Sequence, residues 1–250
     1  MTLATLAVQL AAPMQSWGIR SRFTRRDTAL EPTKSGLVGL LMAALGRPRD
    51  DDASVQELAM LRLGIRVDRE GTTERDYHTV SNAAFSNGSG SADVVSNRYY
   101  LADATFLAVL EGETAHLEEL YLALLHPRWP LYLGRRSFVP SLPVVVPEGG
   151  EYSSLSDARL EDVLTSYPWL EQRDRERRKA LRLLSQPDHQ SVLLRTVTDT
   201  VPTHPAGELR YDLPVSFRLD DRRYAPRTVL VGHVSLRPEL ITPATELLII

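Results

Sequence analysis

The 250-residue chain has no cysteine. Disulfides, thiolate metal sites and cysteine nucleophiles are therefore excluded. No apolar run approaches the ~20 residues needed to span a bilayer. The opening MTLATLAVQLAAPMQSWG is apolar, but no Lys or Arg precedes Arg20, so the basic n-region of a signal peptide is missing. The expectation is a soluble, cytoplasmic protein that makes no membrane contact. No H-x-x-x-H pair, G-x-S-x-G elbow or G-x-G-x-x-G loop occurs, and the Lys-Ser of PTKSG lacks the earlier glycine of a Walker loop. No cofactor or metal is expected. Net charge is −3, so no global field draws the chain to nucleic acid, and any basic surface must arise by local clustering.

One further absence is local. Between His126 and Pro147 there is no Asp or Glu, although the chain as a whole is slightly acidic. Inside this stretch lies PLYLGRRSFVP, residues 130–140, where a glycine is followed by two arginines and a serine among aromatics and prolines. Such a sequence reads either as a phosphate-binding loop or as a solvated turn.

What is present is ordinary globular material, 43% hydrophobic and 24% charged. Leu6, Val8 and Leu10 alternate with Ala7 and Gln9 and predict a first strand. PTKSGLVGLLMAALG predicts a helix over 33–45, capped by Thr33 or Ser35 and ended by Gly46 and Pro48. Ile65 and Val67 share one face of a second strand. ADATFLAVLEG, apolar on both faces, predicts a buried third. TAHLEELYLALLHP predicts a second helix with Thr114 as N-cap and Pro127 as its stop, and a fourth strand is expected near Val144–Val146. The order β-α-β-β-α-β is the split ferredoxin-like arrangement. Between the second and third strands lies an excursion over about residues 72–100, tipped by SNGSGSAD; loops of this length in a compact domain are functional or disordered. Residues 151–250 read as a smaller β-rich region with one charged helix, LEQRDRERRKALRLL, in which Glu171 with Arg175 and Asp174 with Arg178 have i,i+4 spacing.

Three stretches mix cations with aromatics. The first holds Trp17, Arg20, Arg22, Phe23, Arg25, Arg26 and Lys34, with Ser35 beside it. The second holds Arg128, Trp129, Tyr132, Gly134, Arg135, Arg136 and Ser137. The third is formed by the two stems of the excursion, with Arg75, Tyr77 and His78 on one side and Arg98, Tyr99 and Tyr100 on the other. Single-stranded nucleic acid is held by this mixture, guanidinium groups on phosphates and flat rings under unstacked bases. Gly134 would let backbone amides approach a phosphate, and the helix starting near Lys34 offers free N–H groups and a positive dipole end. The competing reading is structural: solvated loop arginines, and Trp17 and Trp129 as core residues.

Five segments, LAAPMQSWG, PTKSGLVGLLMAALG, RDYHTV, YYLADATFLAVL and HPRWPLYLGRRSFVPSLP, follow in order and spacing the pattern of another group of proteins. Over residues 3–147 the chain resembles the CasD-type subunits of type I-E CRISPR surveillance complexes (Cascade), in the RAMP superfamily; beyond residue 151 the resemblance rests on strand pattern and length. The resemblance implies an α+β, ferredoxin-like (RRM-like) RAMP domain over 1–150, with a thumb-like insertion at about 72–100 and a smaller β-rich C-terminal region over 151–250. It also implies a non-catalytic subunit that binds the 5′ handle of the guide RNA (crRNA) and contacts a CasA-type large subunit and a CasC-type backbone subunit. Target DNA would be met only through the complex. Arg135 and Arg136 on the Gly134 loop would bind handle phosphates. Related type I-C subunits cut precursor RNA without a metal, and in that alternative Tyr77 or His78 would serve as general base or acid. The tip SNAAFSNGSGSAD departs from the family in its small residues.

Overall fold

The computed structural model describes residues 2–19, 24–85, 87–147, 152–186 and 191–241. A seven-stranded sheet organises the molecule. Its four N-terminal-side strands are β1 (Leu3–Ala11), β4 (Arg62–Arg69), β7 (Thr105–Glu113) and the two-residue β8 (Leu155–Ser156), in the order β4-β7-β1-β8. All three pairings are antiparallel. Helix α1 (Lys34–Leu45) lies between β1 and β4 in the chain, followed by the short α2 (Asp52–Ala59). Helix α3 (Thr114–Leu125) follows β7. Beyond residue 151 the chain does not start a new sheet. β9 (Leu193–Asp199) pairs with β4, and β11 (Arg223–Ser235) and β10 (Glu208–Ser216) continue outward from it.

Both faces of this sheet are covered, and alternation along each strand decides what covers each side. Leu6, Val8 and Leu10 of β1, with Phe106, Ala108 and Leu110 of β7, pack against Leu37 and Leu41 of α1 and Leu117, Leu120 and Leu124 of α3. The intervening Ala7, Leu107 and Val109 pack against Leu160, Val163 and Leu164 of α4 (Leu160–Ser166) and the following Tyr167 and Leu170. The continuous apolar run of β7 is thus explained by burial on both sides.

Local signals set several boundaries. Thr33 caps α1, its Oγ1 accepting from the Gly36 N–H at 3.2 Å, and Gly46 ends the helix with φ 70°. Two expectations are corrected. Thr114 is the first residue of α3 rather than its cap: Glu113 is the N-cap residue, and Thr114 Oγ1 donates to the Thr2 carbonyl at 2.9 Å. Val144–Val146 is not a strand. Val144 O accepts one bond from Gln9 N–H, Val146 N–H donates to Ser154 Oγ, and the edge of β1 is paired by β8 instead. Pro143 and Pro147 flank the segment and carry no N–H for a ladder.

The excursion is a β-ribbon. β5 (Thr72–Ala84) and β6 (Ser91–Ala102) pair from Thr72↔Ala102 to Ala84↔Ser91, with a bulge after Val80 where Asn82 adopts φ 55°. At its base, β2 (Met14–Gln15) pairs antiparallel and β3 (Arg25–Arg26) parallel with β6.

Candidate nucleic-acid interface

The acid-free segment after α3 crosses the C-terminal end of α1. The Arg128 and Trp129 N–H groups donate to the Ala44 and Ala43 carbonyls at 2.8 and 3.2 Å, taking up carbonyls that the end of a helix leaves open. Further on, Leu133 O accepts from Ser16 N–H, and Phe138 N–H closes a turn on Arg135 O. Gly134 sits in this turn with φ 101°, and a Cβ there would fall 2.0 Å from the Ser16 carbonyl oxygen. Its missing side chain therefore admits the neighbouring backbone of the same chain.

Arg135 and Arg136 leave this turn toward different surroundings. Arg135 turns to the ribbon base, where its Nη2 donates to Tyr99 O at 2.7 Å and its guanidinium lies 5.3 Å over the Phe138 ring. Burial depresses its pKa, and Arg98 and Arg26 push the same way against the opposing Asp76. β3 places Arg25 opposite Asn97 and Arg26 opposite Arg98, and the Arg25 guanidinium lies 5.3 Å over the Tyr99 ring. Four arginines from three separate stretches, Arg25, Arg26, Arg98 and Arg135, thus meet at one end of the ribbon.

Arg136 is exposed and lines a groove of about 860 Å³ together with Arg47, Arg49 and Arg222. Ser35, Gly36, Gly39 and Ala43 of α1 form its floor, and Trp129, Tyr132, Phe217 and Tyr224 supply rings. A Cβ at Gly39 would meet nothing within 4 Å, so this part of the floor is open. Among the described residues no Asp or Glu lines the groove, and none of its four arginines is held in an ion pair. Burial raises the Tyr224 phenol, and the nearby Arg222 and Arg49 oppose that shift.

Two expected contact residues are internal. Trp17 is 2% exposed, with Nε1 donating to Gln15 Oε1 at 3.1 Å, so it is a core residue whose edge reaches the groove wall. Lys34 is buried, its Nζ 2.7 Å from Asp199 Oδ2, and burial lowers its pKa against the pull of that carboxylate. Its backbone N–H donates to Asp212 Oδ2 at 2.7 Å, so a carboxylate of this chain already occupies the first N–H of α1. Both side chains are thus engaged inside the protein. Ser35 is half-buried on the groove floor, Tyr132 is half-buried in its wall, and Ser137 is exposed on the turn. Arg20 and Arg22 lie outside the described residues. Tyr77 and His78, being neighbours on β5, project from opposite faces of the ribbon, Tyr77 with Asn97 and His78 with Ser96. A single phosphate therefore does not meet both side chains from one face.

The groove contains residues that reading the sequence missed. Arg47 and Arg49 sit in the GRPR that ends α1. Phe217, Arg222 and Tyr224 come from the β10–β11 hairpin, where Arg222-Arg223-Tyr224 repeats the arginine-pair-and-ring composition of GRRSF.

Two solved structures share this fold. One is a crystal structure of a Cas protein, 40% identical, with a TM-score of 0.66 over 94% of this chain and 96% of that one. The other is a chain of a CRISPR RNA-guided surveillance complex, 30% identical, with a TM-score of 0.73 over 94% and 92%. The Cascade subunit CasD of Escherichia coli K12 is 40% identical over 146 residues, which is 53% of this chain and 65% of that protein's length. These likenesses place the fold among CRISPR-associated proteins. The family model described as CRISPR-associated protein (Cas_Cas5) matches residues 5–230, and the chain belongs to that Cas5 family. The match extends past the five N-terminal segments and takes in the hairpin residues Phe217, Arg222 and Tyr224 that complete the groove.

Proposed function

We propose that this protein is a non-catalytic, guide-RNA-binding subunit of a type I-E CRISPR surveillance complex, holding the 5′ handle of the RNA and capping one end of the assembly. The observation that carries the proposal is the groove that, among the described residues, has four unpaired arginines, four rings and no carboxylate, joined to the arginine cluster of the ribbon base by the Gly134–Arg136 turn. Unstacked nucleotides suit such a groove, with phosphates on the guanidinium groups and bases on the rings. In this reading the strands β8-β1-β7-β4 with α1 and α3 are the ferredoxin-like domain, the 72–102 ribbon is the thumb, and the large and adjacent backbone subunits dock around them. The residues after 151 complete the groove and buttress the sheet.

The test uses the full chain with single-stranded repeat RNA across a salt series. Each phosphate contact on a single strand contributes about 0.7 to the slope of log K against log salt. Arg136→Ala with Arg222→Ala should flatten that slope by about 1.4 and leave the melting temperature unchanged, because both residues are exposed and, among the described residues, neither guanidinium is in an ion pair. An unchanged slope sinks the groove as the RNA site. Site-specific cutting of the same RNA in EDTA, lost in His78→Ala, would replace this reading by the endoribonuclease one.

A further inference from the structure

The charged helix α5 (Asp174–Leu184) takes no part in the groove or the ribbon. Glu171, expected to pair with Arg175, precedes the helix and is taken by Arg69 and Arg173 at 2.7 and 2.9 Å. Arg177 and Ala180 form the buried side. Arg175, Arg178, Lys179 and Arg182 are all exposed and, among the described residues, none is in an ion pair. Other arginines of this region are engaged: Arg195 with Glu31 and Glu70, Arg210 with Glu31 and Glu208, Arg227 with Asp199 and Asp212.

The four free cations stand at i, i+3, i+4 and i+7. At 3.6 residues per turn they fall within roughly 100° of arc, and Asp174 and Glu176 fall outside it. The stripe is about 10 Å long at a rise of ~1.5 Å per residue. A DNA duplex carries one phosphate charge per ~1.7 Å of axis, so it presents about six charges along that length, whereas one of its strands presents about three. Four cations are thus matched by a duplex and exceed what one strand supplies. The helix also contains no aromatic residue, so it offers none of the stacking platforms that single-strand binders use.

We propose that this face of α5 is a second nucleic-acid site that grips the phosphate backbone of double-stranded DNA without reading its sequence. The inference stands on the helix itself and not on the groove. It departs from the expectation that DNA is met only through the complex.

The test measures binding of the full chain to a 30-base-pair DNA duplex by fluorescence anisotropy between 50 and 200 mM salt. On duplex DNA each contact contributes about 0.9 to the salt slope, so four contacts weaken binding by about 150-fold over that range. Changing Arg175, Arg178, Lys179 and Arg182 to Gln should flatten the slope by about 3.6. Changing the three arginines to Lys instead should preserve it. Gln keeps the helix propensity of the residues replaced, so folding is not at issue. Binding of single-stranded repeat RNA should be unchanged in both variants, which separates failure here from failure of the groove. An unchanged duplex slope in the Gln variant overturns the proposal. Equal loss of duplex and single-strand binding also overturns it, as does displacement of the duplex by polyglutamate at equal charge, which would point to an acidic protein partner.

Discussion

Arg66 and Asp68 show how far one side chain's surroundings can depart from its sequence context. They alternate with Ile65 and Val67 on β4, and alternation alone assigns them to solvent. Both are buried instead, because α4 and the segment to Leu170 cover that face. The Arg66 guanidinium meets the Asp68 carboxylate at 2.6 and 2.9 Å and donates to the carbonyls of Leu164, Tyr167 and Pro168. Asp68 accepts in turn from the Leu170 N–H at 2.8 Å. Removing one partner of such a pair strands a buried charge. Asp68→Ala should therefore cost about 3–5 kcal/mol in urea unfolding, whereas Arg66→Met with Asp68→Leu should cost less than either single change. A loss below 1 kcal/mol for Asp68→Ala would mean that water reaches the pair. The same lesson applies to Lys34, whose Asp199 and Asp212 partners lie over 160 positions away in sequence. Nothing local to PTKSG distinguishes a lysine that faces phosphate from one that faces two distant carboxylates. The turn at Gly134 was legible as a special backbone position, but the atom it accommodates, Ser16 O, was not.

At the scale of elements, periodic stretches were read correctly and short or cross-chain pieces were not. β1, β4, β7, α1 and α3 emerge from apolar spacing and capping, whereas β9, β10 and β11 were legible only as a β-rich region after residue 151. β2, β3 and β8 have two residues each and exist because a neighbouring strand supplies their partners, which no local pattern encodes. The ribbon is the element whose energetics are most distinctive. β5 is exposed over nearly its whole length, and an isolated two-stranded hairpin is at best marginally stable in water. Its support comes from β2, β3 and the Phe138–Tyr100 contact at the base. The tip, residues 81–93, has no Lys or Arg. Replacing 81–93 by Asn-Gly closes the Val80↔Val94 pair with a two-residue turn and keeps the register below it. The shortened protein should melt within about 2 °C of the parent and bind single-stranded RNA as tightly, yet fail to copurify with guide RNA and neighbouring subunits. That 2 °C tolerance corresponds to about 0.5–1 kcal/mol for a chain of this size. A large fall in melting temperature would show the tip to be part of the folded core, and normal copurification would show that it does not bridge subunits.

At the scale of the whole molecule, the −3 net charge conceals a strong segregation. Carboxylates such as Asp199, Asp212, Glu31 and Glu171 are spent on internal arginines and on Lys34, while the cations of the groove and of α5 are, among the described residues, left unpaired. The internal pairs also tie the two halves of the chain together. β9 bonds to β4 through Gly64↔Thr198, Ile65↔Val197 and Arg66↔Thr196, Lys34 reaches Asp199, and α4 covers β7. Cutting the chain after residue 147 would leave β4 with an unpaired edge, expose Leu107 and Val109, and strip Arg66 of its three carbonyl acceptors. The two regions should therefore unfold as one. Calorimetry of the full chain is expected to show a single peak with matching calorimetric and van't Hoff enthalpies. A fragment spanning 1–147 should show no cooperative transition and should bind an exposed-hydrophobe dye. Two resolved peaks in the full chain, with the fragment melting at the position of one of them, would mean that the N-terminal region carries its own core and that the shared sheet adds little to its stability.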